Sequence, residues 1–175
     1  MELSVVILNY NVKQFLKLCL ESVVAATSQL SSEIIVIDNA STDGSLAMVA
    51  ENFPEVQTIA NATNVGFSKA NNQAVKEAKG EYVCILNPDT VLKENTLRNV
   101  LEFAKTQENL GALGIRLIDG TGNFLPESKR NVPTPQVALK KLAGFDAAYY
   151  ANTLRDSEIG EVDVLVGAFM LLKRT

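Results

Sequence analysis

Short, almost purely apolar runs alternate along this chain with amphipathic segments of helical period, and no other feature narrows its fold so far. Val5-Val6-Ile7-Leu8, Ile34-Ile35-Val36-Ile37 and Tyr82-Val83-Cys84-Ile85-Leu86 are of strand length and show no polar alternation. A strand apolar on both sides must be covered on both faces, which is the situation inside a parallel sheet flanked by helices. Between these runs, Leu16, Cys19, Leu20 and Val23 recur at i, i+3, i+4 and i+7, and so do Leu46, Val49, Ala50 and Phe53 before Pro54 stops the pattern. Phe67, Ala70, Asn71, Ala74, Val75 and Ala78 trace a third stripe closed by Gly80, and Leu97, Val100, Leu101 and Ala104 a fourth. The expected strands are residues 4–8, 34–37, 56–60 and 82–86, and the fold class is α/β, a mostly parallel sheet built from βαβ units.

The pattern weakens after Leu110. Gly111, Gly114, Gly120 and Gly122 with Pro126, Pro133 and Pro135 predict short strands, turns and an irregular loop to about Ala143. Residues 162–166 and 168–172 read as closing strands around Gly167. With 175 residues the chain fits a single domain, 1–175, with a first half to residue 110 and a second from 111.

Composition removes whole classes of function. The net charge is −4 and Lys and Arg form no block, so nucleic acid is not the expected partner. No apolar stretch approaches the roughly 20 residues that span a bilayer, and no leader-like core opens the chain, so a cytoplasmic address is expected. Cys19 and Cys84, each among apolar neighbours, are expected as reduced core thiols. The absence of histidine rules out Ser-His-Asp and Cys-His catalysis and histidine-based zinc sites within these residues. Neither Gly-x-x-x-x-Gly-Lys nor Gly-x-Gly-x-x-Gly after the first strand is present. Chemistry must rest on carboxylates, amides, hydroxyls and a bound cation.

Polar residues of that kind follow every predicted strand: Asn9 and Tyr10, Asp38 and Asn39, residues 61–64, then Asn87 and Asp89. In an open α/β sheet these positions share the carboxyl edge, where ligands bind. Pro88 fixes its own φ and biases Asn87 to extended backbone, so Asn87 and Asp89 are presented by a constrained turn.

In their order, Val5-Val6-Ile7-Leu8-Asn9-Tyr10-Asn11, Ile35-Val36-Ile37-Asp38-Asn39-Ala40-Ser41-Thr42-Asp43-Gly44-Ser45, Asn64-Val65-Gly66-Phe67 with Asn71-Asn72, and Leu86-Asn87-Pro88-Asp89-Thr90 resemble a family 2 glycosyltransferase, nearest its rhamnosyltransferase-like subgroup from bacterial surface polysaccharide synthesis. The resemblance implies a GT-A fold and inverting transfer of a sugar, rhamnose in that subgroup, from a dTDP- or UDP-sugar to a saccharide or lipid-linked acceptor, assisted by Mg2+ or Mn2+. It implies that Tyr10 stacks on the pyrimidine and that Asp38 accepts its N3–H. Asn9, Asn39, Asn64, Gly66, Phe67, Asn72 and Asn87 would line the donor site, with Gly66 opening the backbone at a helix N-terminus. Asp89 would be the metal ligand beside the diphosphate. Many relatives have Asp-x-Asp where this chain has Asn87-Pro88-Asp89, which removes one formal charge.

Members of the family continue past a Gly-Ala-Phe-Met-Leu-Leu-Lys-Arg stretch to a Glu-Asp pair that supplies the general base. The expectation is therefore an N-terminal portion of an enzyme, able to bind donor, with the base beyond Thr175. Asp163, a late carboxylate among apolar residues, would shape the acceptor side. A sugar-nucleotide binding module without catalysis shares every donor-side residue and stays open as an alternative. A nucleotidyltransferase is a further one, though the segment after Leu8 lacks the Gly-rich, basic loop that a triphosphate requires. Lys129, Arg130, Lys140 and Lys141 could approach an anionic membrane surface, a peripheral contact set against a plain solvated loop.

Overall fold

The computed structural model describes residues 1–128 and 158–174. Two compact units form, residues 1–113 with 167–175, and residues 114–166. In the first, β1 (Leu3–Asn9), β2 (Ser32–Asp38), β3 (Gln57–Ala60) and β4 (Tyr82–Leu86) run parallel. The antiparallel β6 (Phe169–Lys173) pairs with β4 and with β5 (Ala112–Leu113), giving the order β3-β2-β1-β4-β6-β5. The helices are α1 (Lys13–Thr27), α2 (Ser45–Asn52), α3 (Phe67–Glu77) and α4 (Thr96–Lys105).

The unbroken apolar runs have the expected cause. α3 lays Ala70 and Ala74, with Ala78 just past its end, on Val6, Ile35, Ile37 and Val83. The alternate positions Val5, Ile7, Val36 and Cys84, which strand geometry turns to the other face, are equally buried. α1 packs beside α2 and α4. Cys19 and Cys84 are buried free thiols, and burial pushes both pKa values up.

Three local expectations are corrected. In α2 the buried face is Ser45, Met48 and Val49, whereas Leu46 is half-buried and Ala50 exposed. Asp43 accepts hydrogen bonds from the Ser45 N–H and hydroxyl, starting the helix there and turning Ser45 inward. Gly80 does not close α3: Ala78 is already extended, and Gly80 instead presses its backbone on β1, where a Cβ would lie 2.5 Å from the Ser4 nitrogen. Residues 162–166 form no strand. Asp163 sits exposed at a bend with half-buried neighbours, and of the two expected closing strands only β6 joins the sheet, between β4 and β5. In the second unit an isolated bridge joins Ile118 to Phe124 around a turn in which Asp119 accepts from the Thr121 and Asn123 N–H groups, and a 3-10 turn spans Pro126–Ser128.

Candidate functional site

Register brings the sequence-predicted residues to one edge. Asn9 pairs with Asp38 across β1 and β2, Asp38 with Ala60 across β2 and β3, and Ile7 with Leu86 across β1 and β4, so all four strands end together. Asn9 is fully buried, and its Nδ2 donates to Asp38 Oδ1 at 2.7 Å and to Ser41 Oγ at 3.0 Å. Asp38, 1% exposed, also accepts the Ser41 N–H on Oδ2 at 2.8 Å. That return is possible because Ala40 adopts φ 63°, folding the chain back over the strand end. Asp38 therefore caps no helix. Asp43 does, accepting the Lys13 N–H of α1 at 2.8 Å and the Ser45 N–H of α2 at 3.0 Å. Burial pushes its carboxyl up, but these bonds and the Ser45 hydroxyl outweigh it and hold the group below the usual range. Asn11, at φ 54°, accepts the Thr42 N–H and donates its own N–H to Ser41 Oγ, locking the β1 and β2 loops together.

The next loop is tied in through amides. Asn39, 2% exposed, donates to Asn64 Oδ1 at 3.1 Å and accepts from Asn61 Nδ2 at 3.0 Å, and Gly66, at φ 84°, donates its N–H to Asn64 Oδ1 at 2.9 Å. Phe67 departs from its core-stripe expectation. It is 47% exposed at the start of α3, within van der Waals reach of a Cβ placed at Gly167. Asn72 is exposed on α3, while its neighbour Asn71 is buried and donates to the Phe67 carbonyl. Tyr10 is 49% exposed at the edge and is no core tyrosine.

The β4 loop carries the remaining pair. The Asn87 N–H donates to the Ala168 carbonyl at 3.0 Å, and its own carbonyl accepts from the Thr90 N–H and the Cys19 thiol. Asp89 is exposed and close enough to α1 for its charge to add to burial in pushing the Cys19 thiol up to about 12. No cluster of three His, Cys, Asp or Glu occurs among the described residues. One constrained, exposed carboxylate fits the way Mg2+ and similar hard cations bind phosphates, with one or two carboxylates and the remaining ligands from phosphate and water.

Sequence reasoning placed Asn61 at this edge but missed Asn11, Ser41 and Gln73 as working parts of it. Their only signal is placement within one or a few residues of a strand end or in the first turns of the following helix. Asp163 lies in the second unit, and Lys129, Arg130, Lys140 and Lys141 lie outside the described residues. Among the described residues no helix is long and apolar enough to cross a membrane.

Residues 4–175 match the profile of Glycosyl transferase family 2. The chain is 32% identical over 170 residues to the poly(ribitol-phosphate) beta-glucosyltransferase of Bacillus spizizenii, covering 91% of this chain and 26% of that one. It is 25% identical over 191 residues to the N-acetylglucosaminyl-diphospho-decaprenol L-rhamnosyltransferase of Mycobacterium tuberculosis, covering 99% and 62%. A crystal structure of S. aureus TarS 1-349 in complex with UDP-GlcNAc superposes with a TM-score of 0.60 at 25% identity, covering 78% of this chain and 38% of that one. The chain thus spans less than two thirds of the length of each of these relatives.

Proposed function

The chain belongs to glycosyl transferase family 2, and on that premise we propose that its first unit is the donor-binding half of an inverting glycosyltransferase that uses a dTDP- or UDP-sugar, with rhamnose as a candidate sugar, in surface polysaccharide synthesis. The observation that carries this reading is the shared register of Asn9, Asp38 and the β3 and β4 ends, which gathers an exposed aromatic, a buried carboxylate and an exposed carboxylate on one edge. Tyr10 offers a free ring face for a base. Asp38 is held by two donors in a fixed orientation and keeps lone pairs for a further N–H. Asp89 would hold Mg2+ or Mn2+, which when bound offsets charge on a leaving diphosphate. A saccharide or lipid-linked acceptor is the class proposed, on the likeness to a relative named for N-acetylglucosaminyl-diphospho-decaprenol. Asp38 and Asp89 are both committed to donor roles, so the acceptor hydroxyl's proton goes to a carboxylate outside this edge as the oxygen attacks the anomeric carbon and the diphosphate leaves.

Calorimetric titration with UDP and dTDP, each with Mn2+ and with EDTA, tests this. The expected result is Mn2+-dependent binding that Asp89→Ala abolishes and Asp38→Ala weakens at least tenfold. Equal affinity for UDP in EDTA and in both variants would overturn the assignment.

A further inference from the structure

Four amide side chains form a chain of hydrogen bonds behind the candidate donor edge, and its direction is fixed by backbone groups that cannot be reversed. The Gly66 N–H, which can only donate, meets Asn64 at 2.9 Å, so the atom there is Oδ1. The atom of Asn39 that meets the same oxygen at 3.1 Å must then be Nδ2, and it also lies 3.5 Å from the Gly66 carbonyl, which can only accept. Asn39 consequently offers Oδ1 to its other side, where Asn61 Nδ2 donates at 3.0 Å. Asn61 gives its second proton to Gln73 Oε1 at 3.1 Å and takes one from Gln73 Nε2 at 3.2 Å, closing a reciprocal amide pair between the end of β3 and α3. A carboxamide has distinct donor and acceptor arms, so turning one amide over would set like against like at each of its own junctions.

The consequence appears at the exposed end. With Oδ1 drawn inward by Gly66 and Asn39, the Asn64 amide nitrogen is the arm left for the open edge, and it bonds to none of the described residues. We propose that Asn61 is a polarity-keeping residue: by donating to Asn39 Oδ1 it holds Asn39 in the orientation that, together with the Gly66 N–H, leaves the Asn64 amide nitrogen facing the nucleotide site, where a donor selects acceptor oxygens of the ligand, those of ribose or phosphate. This inference rests on the donor-site reading given above. Asn61 and Gln73 are positioning residues and touch no ligand.

The isosteric Asn61→Asp changes polarity at this position without changing size. A carboxylate at 61 still accepts from Gln73 Nε2 and can accept from Asn39, but it gives up the bond to Gln73 Oε1. Asn39 must turn over to donate to the carboxylate, and then presents an oxygen to Asn64, which turns in its turn and leaves the Gly66 N–H without an acceptor. The expected result is about tenfold weaker UDP binding with Mn2+. Gly66 N–H exchange should accelerate about tenfold by NMR, while exchange across the β1–β4 ladder is unchanged. Asn39→Asp, which cannot donate to Asn64, makes the same test should Asn61→Asp not fold. Unchanged Gly66 exchange in the variant overturns the relay, whatever the nucleotide does. A wild-type chain that binds neither UDP nor dTDP, with Gly66 exchange still responding, removes the donor-site reading and leaves the polarity relay standing.

Discussion

Asp38 has two hydrogen-bond donors and almost no water around it, and Asn9 supplies the one side-chain donor of the two. Asn9 Nδ2 is 2.7 Å from Asp38 Oδ1, and the Asn9 side-chain oxygen Oδ1 is itself a buried acceptor without a hydrogen-bond partner among the described residues. Asn9→Ala removes a donor from a buried carboxylate and also removes that orphaned oxygen, so a net loss of only about 1–2 kcal/mol is expected in urea unfolding. Asn9→Asp keeps the shape and sets two carboxylates against each other. One of them must take a proton in the folded state at a pH where the unfolded chain would release it. The folded state then binds more protons than the unfolded, so the variant's deficit against wild type should shrink as pH falls from 7 toward about 5. Unfolding curves at the two pH values decide this, and a deficit independent of pH would mean that the pair is solvated.

At the scale of elements, two glycines separate conformational need from spatial need. Gly66 sits at φ 84°, ψ 170° with nothing within 4 Å of a Cβ, so Gly66→Ala should cost roughly 1–3 kcal/mol through backbone strain alone. Gly80 has an ordinary φ but no room, since a Cβ would meet backbone of residues 3, 4 and 82 within 2.7 Å. Gly80→Ala should therefore destabilise by at least as much and disturb the β1–β4 ladder, which amide exchange would report as loss of protection in β1 and not in α3. Beside Gly80, Glu33 accepts from the Ser4 hydroxyl at 2.6 Å, the Lys79 N–H at 2.6 Å and Gln57 at 3.0 Å. Burial pushes its carboxyl up, and these bonds outweigh it to leave the group below the usual range. Its stabilisation is present above the ordinary Glu range near about 4.3 and is lost as pH falls through the lower folded value. Wild type should accordingly lose its stability advantage over Glu33→Gln as pH falls below the ordinary Glu range through the lower folded value, measured by denaturant midpoint. Residues 82–86 are legible from sequence to both ends because an apolar run between Gly80 and Pro88 leaves a strand no freedom. The Glu33 cluster and the amide relay are not legible, because residues 4, 33, 57 and 79, or 39, 61, 64 and 73, share no period and meet only once strand order and register exist. The rotated face of α2 is hidden for a related reason: the Asp43 cap sets it, and periodicity alone cannot place a cap that spans two helices.

For the molecule as a whole, the edge was legible because βαβ alternation places the end of every parallel strand on one side, so polar residues after β1, β2, β3 and β4 converge without further information. Residues 162–166 show where that logic stops, since this apolar run beside an exposed Asp163 forms a single bridge at Val164 and no strand. Convergence also makes ligand binding a property of the whole sheet. A nucleotide that touches the ends of β1, β2 and β4 binds only the folded state, and at a hundred times its dissociation constant it should add about 2.7 kcal/mol of stability. For a chain of this size each kcal/mol moves the unfolding midpoint by roughly 2–4 °C, so saturating UDP with Mn2+ should raise it by roughly 5–11 °C. Asp89→Asn, an exposed substitution with little effect on the free protein, should remove the Mn2+-dependent part of that rise and leave the unliganded midpoint within about 2 °C of wild type. A rise that survives in Asp89→Asn would assign the cation to other oxygens, and a fall in the unliganded midpoint would make Asp89 a structural carboxylate.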